Sequence, residues 1–122
     1  MVSGFIIKDP GDPAWKDDPE VKEYLAFMKQ YAPNLDAYDT WAVYGYTMIQ
    51  GLVQALKQAG EDVTRENLMK QARNINFKPA MTLPGVEVRT GPGRNVPLQA
   101  MQLARFEGDR WVLFGDVINV GE

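Results

Sequence analysis

At 122 residues with 45% hydrophobic side chains, the chain has room for one core and not for two. Thirteen basic against sixteen acidic residues leave a net charge of -3 without any run of Lys or Arg able to follow a phosphate backbone, which argues against nucleic acid as a partner. With no Cys and no His, the common zinc ligands and the common nucleophile–base pairs of hydrolases are missing, so the composition points away from an enzyme.

Gly4-Phe5-Ile6-Ile7-Lys8 predicts a brief strand, ended by the turn-rich Asp9-Pro10-Gly11-Asp12-Pro13, with Trp15 placed to pin that loop to a core. Asp18-Pro19-Glu20 is a helix start: Asp accepts from free backbone amides, Pro suits the first helical position and Glu complements the dipole. Val21, Tyr24, Leu25 and Met28 then form an apolar stripe, and Pro33 ends the helix.

The stretch Asp39 to Gly60 predicts the longest helix, capped by Asp36 or Asp39 and closed by Gly60. Thr47, Gln50, Gln54, Lys57 and Gln58 recur at three- and four-residue steps among apolar neighbours, which predicts a narrow wet stripe and burial elsewhere. Thr64 caps a third helix with Leu68, Met69, Ala72 and Ile75 on its inner face. Phe77 to Leu83 reads as an irregular wrap, Gly85 to Arg89 as a short strand and Thr90 to Asn95 as a turn. That turn lacks the Gly-Lys-Ser/Thr ending of a phosphate loop and opens no helix.

Leu98 to Phe106 and Arg110 to Val120 flank Glu107-Gly108-Asp109 and predict a hairpin. Both of its faces are apolar: Met101 and Leu103 oppose Ala100, Ala104 and Phe106, while Trp111 and Leu113 oppose Val112, Phe114 and Ile118. The three helices are expected to cover one face, and nothing remains for the other. Glu87 and Glu107 with Arg89, Arg105 and Arg110 are expected as cross-strand ion pairs, not as acid–base machinery, and the acidic residues around Asp36 to Asp62 do not match a calcium loop.

Three segments together carry a resemblance: KDPGDPAWKDDPEVKEYLAFMKQYAP, DTWAVYGYTMIQGLVQALKQAGEDVTRENLMKQA and PLQAMQLARFEGDRWVLFGDVI. Their order and spacing resemble the closing part of the type I periplasmic solute-binding proteins of branched-chain amino-acid ABC importers. The resemblance runs from Gly4 to Ile118 and implies an α/β fold, part of a two-lobed structure, here with three helices, a few short strands and a C-terminal β-hairpin.

It further implies that residues 1–9 form a hinge strand entering lobe 1, with Met1 to Ser3 an appended start. Residues 10–97 would be the C-terminal part of lobe 1, and residues 98–122 hinge and lobe 2 hairpin. Missing partner chain would then account for the two-sided hairpin. The function implied is capture of a small amino acid or related carboxylate and delivery to an ABC importer permease, in the periplasm and with a signal peptide upstream. Neither catalysis nor a cofactor is implied. The implied contribution of this segment to the ligand pocket is a cleft wall at the start of the long helix, with Tyr44 first and Trp41, Val43 and Tyr46 beside it. The competing expectation is a free-standing, non-catalytic, dimeric interaction or small-ligand module. Under either reading the uncovered hairpin favours self-association.

Overall fold

Aspartate, threonine and proline fix where the helices begin. In the computed structural model, which describes residues 1–120, α1 (Pro19–Tyr31) starts behind Asp18, whose carboxylate accepts the amides of Glu20 and Val21 at 2.9 and 3.1 Å. Asp39 accepts from the Trp41 amide at 2.8 Å to open α2 (Thr40–Ala59), and Thr64 accepts from Asn67 to open α3 (Arg65–Ala72). Each cap satisfies backbone N–H groups that the first helical turn leaves free. Gly60, at φ 63°, ends α2 in a conformation that suits glycine.

Strand β1 (Val2–Phe5) begins two residues earlier than the apolar run suggests, because Val2 and Ser3 pair with Arg105 and Ala104. Val2 and Ser3 thus lie within the sheet, and the Met1 carbonyl accepts the Phe106 amide at 3.0 Å. Ile7, past the strand's end, makes an isolated bridge to Thr82. Short β2 (Asn76–Phe77) pairs with β3 (Val88–Arg89), so only the end of the Gly85 to Arg89 stretch is strand. Strands β4 (Ala100–Glu107) and β5 (Arg110–Asn119) form the hairpin, and the antiparallel sheet runs β1-β4-β5. Its two-residue turn places Gly108 at φ 65°, as tight hairpin loops demand. The hairpin expectation for residues 98–122 extends to 121 and 122, which lie outside the described residues.

One core cluster joins Ile7, Val21, Tyr24, Met28, Val43 and Met81, packing α1 against the first turns of α2. A second joins Leu83, Val86 and Ala100, with Phe5, Leu113 and Val117 packed on it. The covered face of the sheet therefore rests on the irregular 83–86 segment and not on the three helices, as the sequence suggested. Trp15 touches both clusters and anchors the Asp9–Pro13 loop, as its position promises.

The long helix is turned over relative to its periodicity. Thr47 is buried, and Gln50 accepts the Ala80 amide at 3.0 Å, while Gln58 donates to the Asn74 carbonyl at 2.9 Å. Most of its large apolar residues face water instead: Trp41 is 81% exposed, Met48 71%, Ile49 57%, and Leu52, Val53 and Leu56 are also open. The small residues Ala55 and Ala59 pack inward, which lets α3 and the 74–80 segment approach α2 closely. On α3 no residue is fully buried and Met69 is exposed, so its inner face is shallower than its pattern suggests.

The expected cross-strand ion pairs are local ones. Arg89 meets Glu87, and Arg105 meets Glu107, each two residues along the same stretch, while Arg110 reaches Asp12 at 3.4 Å. A strand's two-residue repeat puts i and i+2 on one face, so long side chains meet there without a partner strand.

Candidate functional site

The first turn of α2, the end of the entering strand and the start of β5 converge on one hollow of about 350 Å³. Phe5, Ile7, Val43 and Trp111 give it apolar walls, while Asp9, Tyr38 and Thr40 bring a carboxylate and two hydroxyls to its lining. Local sequence explains each placement. The Asp9-Pro10 step ends the extended segment, and the Asp39 cap fixes where Thr40 and Val43 emerge. Phe5 and Trp111 hold each other at 5.3 Å between ring centroids, and Phe106 meets the Trp111 ring edge-on at 5.3 Å.

Lys8 also borders the hollow, yet its charge is directed elsewhere. Only 2% exposed, it donates to Glu20 at 2.7 Å and to Asp18 at 3.0 Å, with its ammonium 5.4 Å from the Trp15 ring. Burial opposes ionisation of Asp18, but the Lys8 hydrogen bond, the Val21 and Glu20 amides and the Lys8 charge outweigh it and hold the carboxyl below its ordinary value. Glu20 behaves alike: burial works against its charge, and Lys8 and Lys78 overcome that. This network clamps the entering strand onto α1 and leaves Asp9 as the carboxylate lining the hollow.

The four cleft-wall candidates from sequence separate around α2. Val43 is 1% exposed and lines the hollow. Tyr44 is half-buried and stands four residues after Thr40, on the same side of the helix. Trp41 is largely in solvent, with its ring 6.1 Å from that of Tyr44. Tyr46 lies on the other flank, edge-on to Tyr24 at 5.0 Å and to Phe27 at 5.2 Å, and burial raises its phenol above the ordinary value.

Asp9, Tyr38, Thr40 and Trp111 were not singled out by sequence. Trp111 follows the hairpin turn, and only the fold brings it to the start of α2. Asp9 and Tyr38 sit in loops whose residues read as turn formers. The usable signal was the pair of loops flanking the Asp39 cap.

A family model described as periplasmic binding protein matches residues 3–110. No curated protein and no solved structure matches the chain.

Proposed function

The chain belongs to the periplasmic binding protein family, and from that premise we propose that it supplies one wall of the ligand cleft of an extracytoplasmic solute-binding protein. The solute is a small amino acid or related carboxylate, branched-chain amino acids foremost, and it is handed to the permease of an ABC importer. The hollow at the start of α2 carries this reading. Apolar walls beside two hydroxyls and one carboxylate suit a small molecule with an ammonium group and an apolar side chain. Tyr38 and Thr40 give the hollow its hydroxyls and Val43 its apolar floor, and Tyr44 and Trp41, beside it on α2, extend the proposed wall.

In the same proposal residues 1–9 are a hinge strand, residues 10–97 complete the first lobe, and residues 98–122 belong to the hinge and second lobe. The exposed apolar side of α2 supports that division, since Ile49, Leu52, Val53 and Leu56 make the face a lobe's sheet would cover. No bond is made or broken. Affinity comes from enclosure when two lobes close on the solute. Among the described residues no helix is long and apolar enough to cross a membrane.

Isothermal titration with leucine, isoleucine, valine, phenylalanine and small aromatic acids tests this. The two-lobed protein encoded by the continuous reading frame is expected to bind one of them, and the 122-residue chain alone to bind weakly or not at all. Tight binding by the chain alone overturns the half-cleft assignment, and no binding by the longer protein overturns the solute class.

A further inference from the structure

A groove runs along α1, built from two hollows of about 480 and 330 Å³ that share Leu25 and Tyr38. Segment 10–16 walls the first and segment 33–38 the second; Pro10 and Tyr38 also line the hollow at α2, and the other lining residues do not. Its floor is the row Val21, Leu25, Met28 and Ala32, whose steps of four, three and four match the seam by which one helix receives another. Val21 and Met28 are buried and Leu25 and Ala32 half-buried, while Leu35 and Tyr38 beside them are 63% and 58% exposed. Asp36 Oδ1 accepts the Tyr38 amide at 2.9 Å and the Tyr24 hydroxyl donates to the Ala37 carbonyl at 2.8 Å, so the far wall is held against α1 and the groove is preformed.

The charged groups of the lining are Lys16, Lys22 and Lys29 against Asp12 alone. Asp12 is already engaged, by the Ala14 amide at 2.8 Å and by Arg110 at 3.4 Å. Lys22 meets Asp17 at 3.8 Å with both side chains largely in water, a kind of pair that counts for little. Lys16 and Lys29 make no ion pair among the described residues. In a chain of net charge -3 the groove thus carries the opposite sign to the whole.

We propose that this groove docks an amphipathic helix of another protein, apolar on one side and bearing carboxylates along its edge. Lys22 and Lys29 stand two turns apart on α1, about 10 Å, so a helix laid alongside meets them at its own repeat. Leu35 and Tyr38 supply the exposed apolar contact, and the lysines select the sign of the partner's rim. An added β-strand does not fit, because the amides of α1 are bonded within the helix and leave no edge to extend. A flat anionic bilayer fits less well than a helix, since the apolar floor is recessed and the exposed Asp17 and Glu23 flank the lysines.

Heteronuclear NMR of the 122-residue chain tests this with an acetylated, amidated helical peptide of about 18 residues, leucines on one face and two glutamates at the Lys22 to Lys29 spacing. A comparison peptide carries lysines at those two positions. Saturable movement of the Trp15 indole and of the Leu25, Leu35 and Tyr38 amides, half-complete at about 10–100 µM with the glutamate peptide and at least about fivefold weaker with the lysine peptide, supports the proposal. In the double variant Lys22→Glu, Lys29→Glu the preference should reverse, and its backbone spectrum reports whether it keeps its fold. Independently of that variant, raising sodium chloride from about 50 to 300 mM should weaken the glutamate peptide and not the lysine peptide. Equal affinity for the two peptides, an unchanged preference in the folded variant, movement confined to the exposed 49–56 stripe of α2, or no saturable movement overturns the proposal. Phosphatidylcholine–phosphatidylglycerol vesicles that move the same signals while the peptide does not assign the groove to a membrane surface and overturn it as well.

Discussion

Lys8 Nζ donates to Asp18 Oδ2 at 3.0 Å, so the residue that ends the entering strand holds the residue that caps α1. Lys8 is 2% exposed, whereas its second partner Glu20 is partly open to water. Replacing Lys8 by Met keeps the apolar stem, takes the cation from Asp18 and leaves Glu20 with Lys78 at 3.4 Å. Breaking a buried pair from one side costs about 3–5 kcal/mol, and the solvent at Glu20 reduces that to about 2–3 kcal/mol here. Urea unfolding of Lys8→Met should show that loss with an unchanged m-value.

The same clamp sets a pH dependence. Asp18 and Glu20 are both held below their ordinary values of 3.8 and 4.5 in the folded chain. A carboxyl whose folded pKa is depressed contributes stability above its unfolded value and loses it as pH falls through the folded value. Stability from this network should therefore be level above about pH 6 and decline below about pH 4.5. In Lys8→Met the decline should be shallower, measured by thermal unfolding across pH 3–7. An equally steep acid decline in the variant would show that other carboxylates control it.

What the sequence made legible was local. Asp18-Pro19, Asp39, Thr64 and Gly108 each act on the backbone within four residues, and each appears where its chemistry places it. Faces were another matter. Periodicity along α2 separates Gln50 from Leu52 correctly but cannot say which side holds the core, and the usual assumption that polar means wet inverts this helix. The buried Lys8 was invisible for the same reason, since its partners stand ten and twelve residues away. Of the hollow, Val43 was within reach of sequence; Trp111 needed the hairpin's position.

That inversion yields an unusual pair of outcomes. Gln50→Leu removes the acceptor of the Ala80 amide, and a donor left unsatisfied there should cost about 1–2 kcal/mol despite the gain in hydrophobicity. Leu52→Gln on the opposite face should change stability by no more than about 0.5 kcal/mol. It should also weaken self-association of the isolated chain, because it interrupts the exposed Ile49–Leu56 stripe. Paired denaturation and multi-angle light scattering measure both. A clean monomer of the unaltered chain at high concentration would remove the second expectation.

Gly85 joins the buried Leu83 and Val86 to the sheet, and its φ of 84° is one that side chains rarely adopt. A Cβ added there would also lie 3.3 Å from Val117 Cγ2, tight against a branched side chain of the second core. Gly85→Ala should cost more than about 1 kcal/mol, the conformational penalty being joined by crowding. Gly93→Ala, also at positive φ but with open space around it, should cost less. Chemical denaturation of the two variants side by side separates strain from crowding.

The hollow sorts the residues at the start of α2 by what their loss should do in the proposed two-lobed solute-binding protein. Thr40 lines it, and Tyr44, one turn further along the same side of α2, is the second hydroxyl of the proposed wall. Thr40→Val and Tyr44→Phe should each weaken binding by about 2–10-fold, the range for one neutral hydrogen bond, with little change in melting temperature. Val43→Ala should do the reverse in stability, since removing methyls from a core position costs about 1–3 kcal/mol. Tyr46 packs edge-on to Tyr24, whose hydroxyl donates to the Ala37 carbonyl at 2.8 Å. Tyr46→Ala should therefore destabilise α1 against α2, while Tyr46→Phe should leave affinity unchanged. Calorimetric titration with the solute that binds best distinguishes these cases. If Tyr46→Phe lowers affinity and Thr40→Val does not, the ligand lies on the opposite flank of α2 and the hollow is not its site.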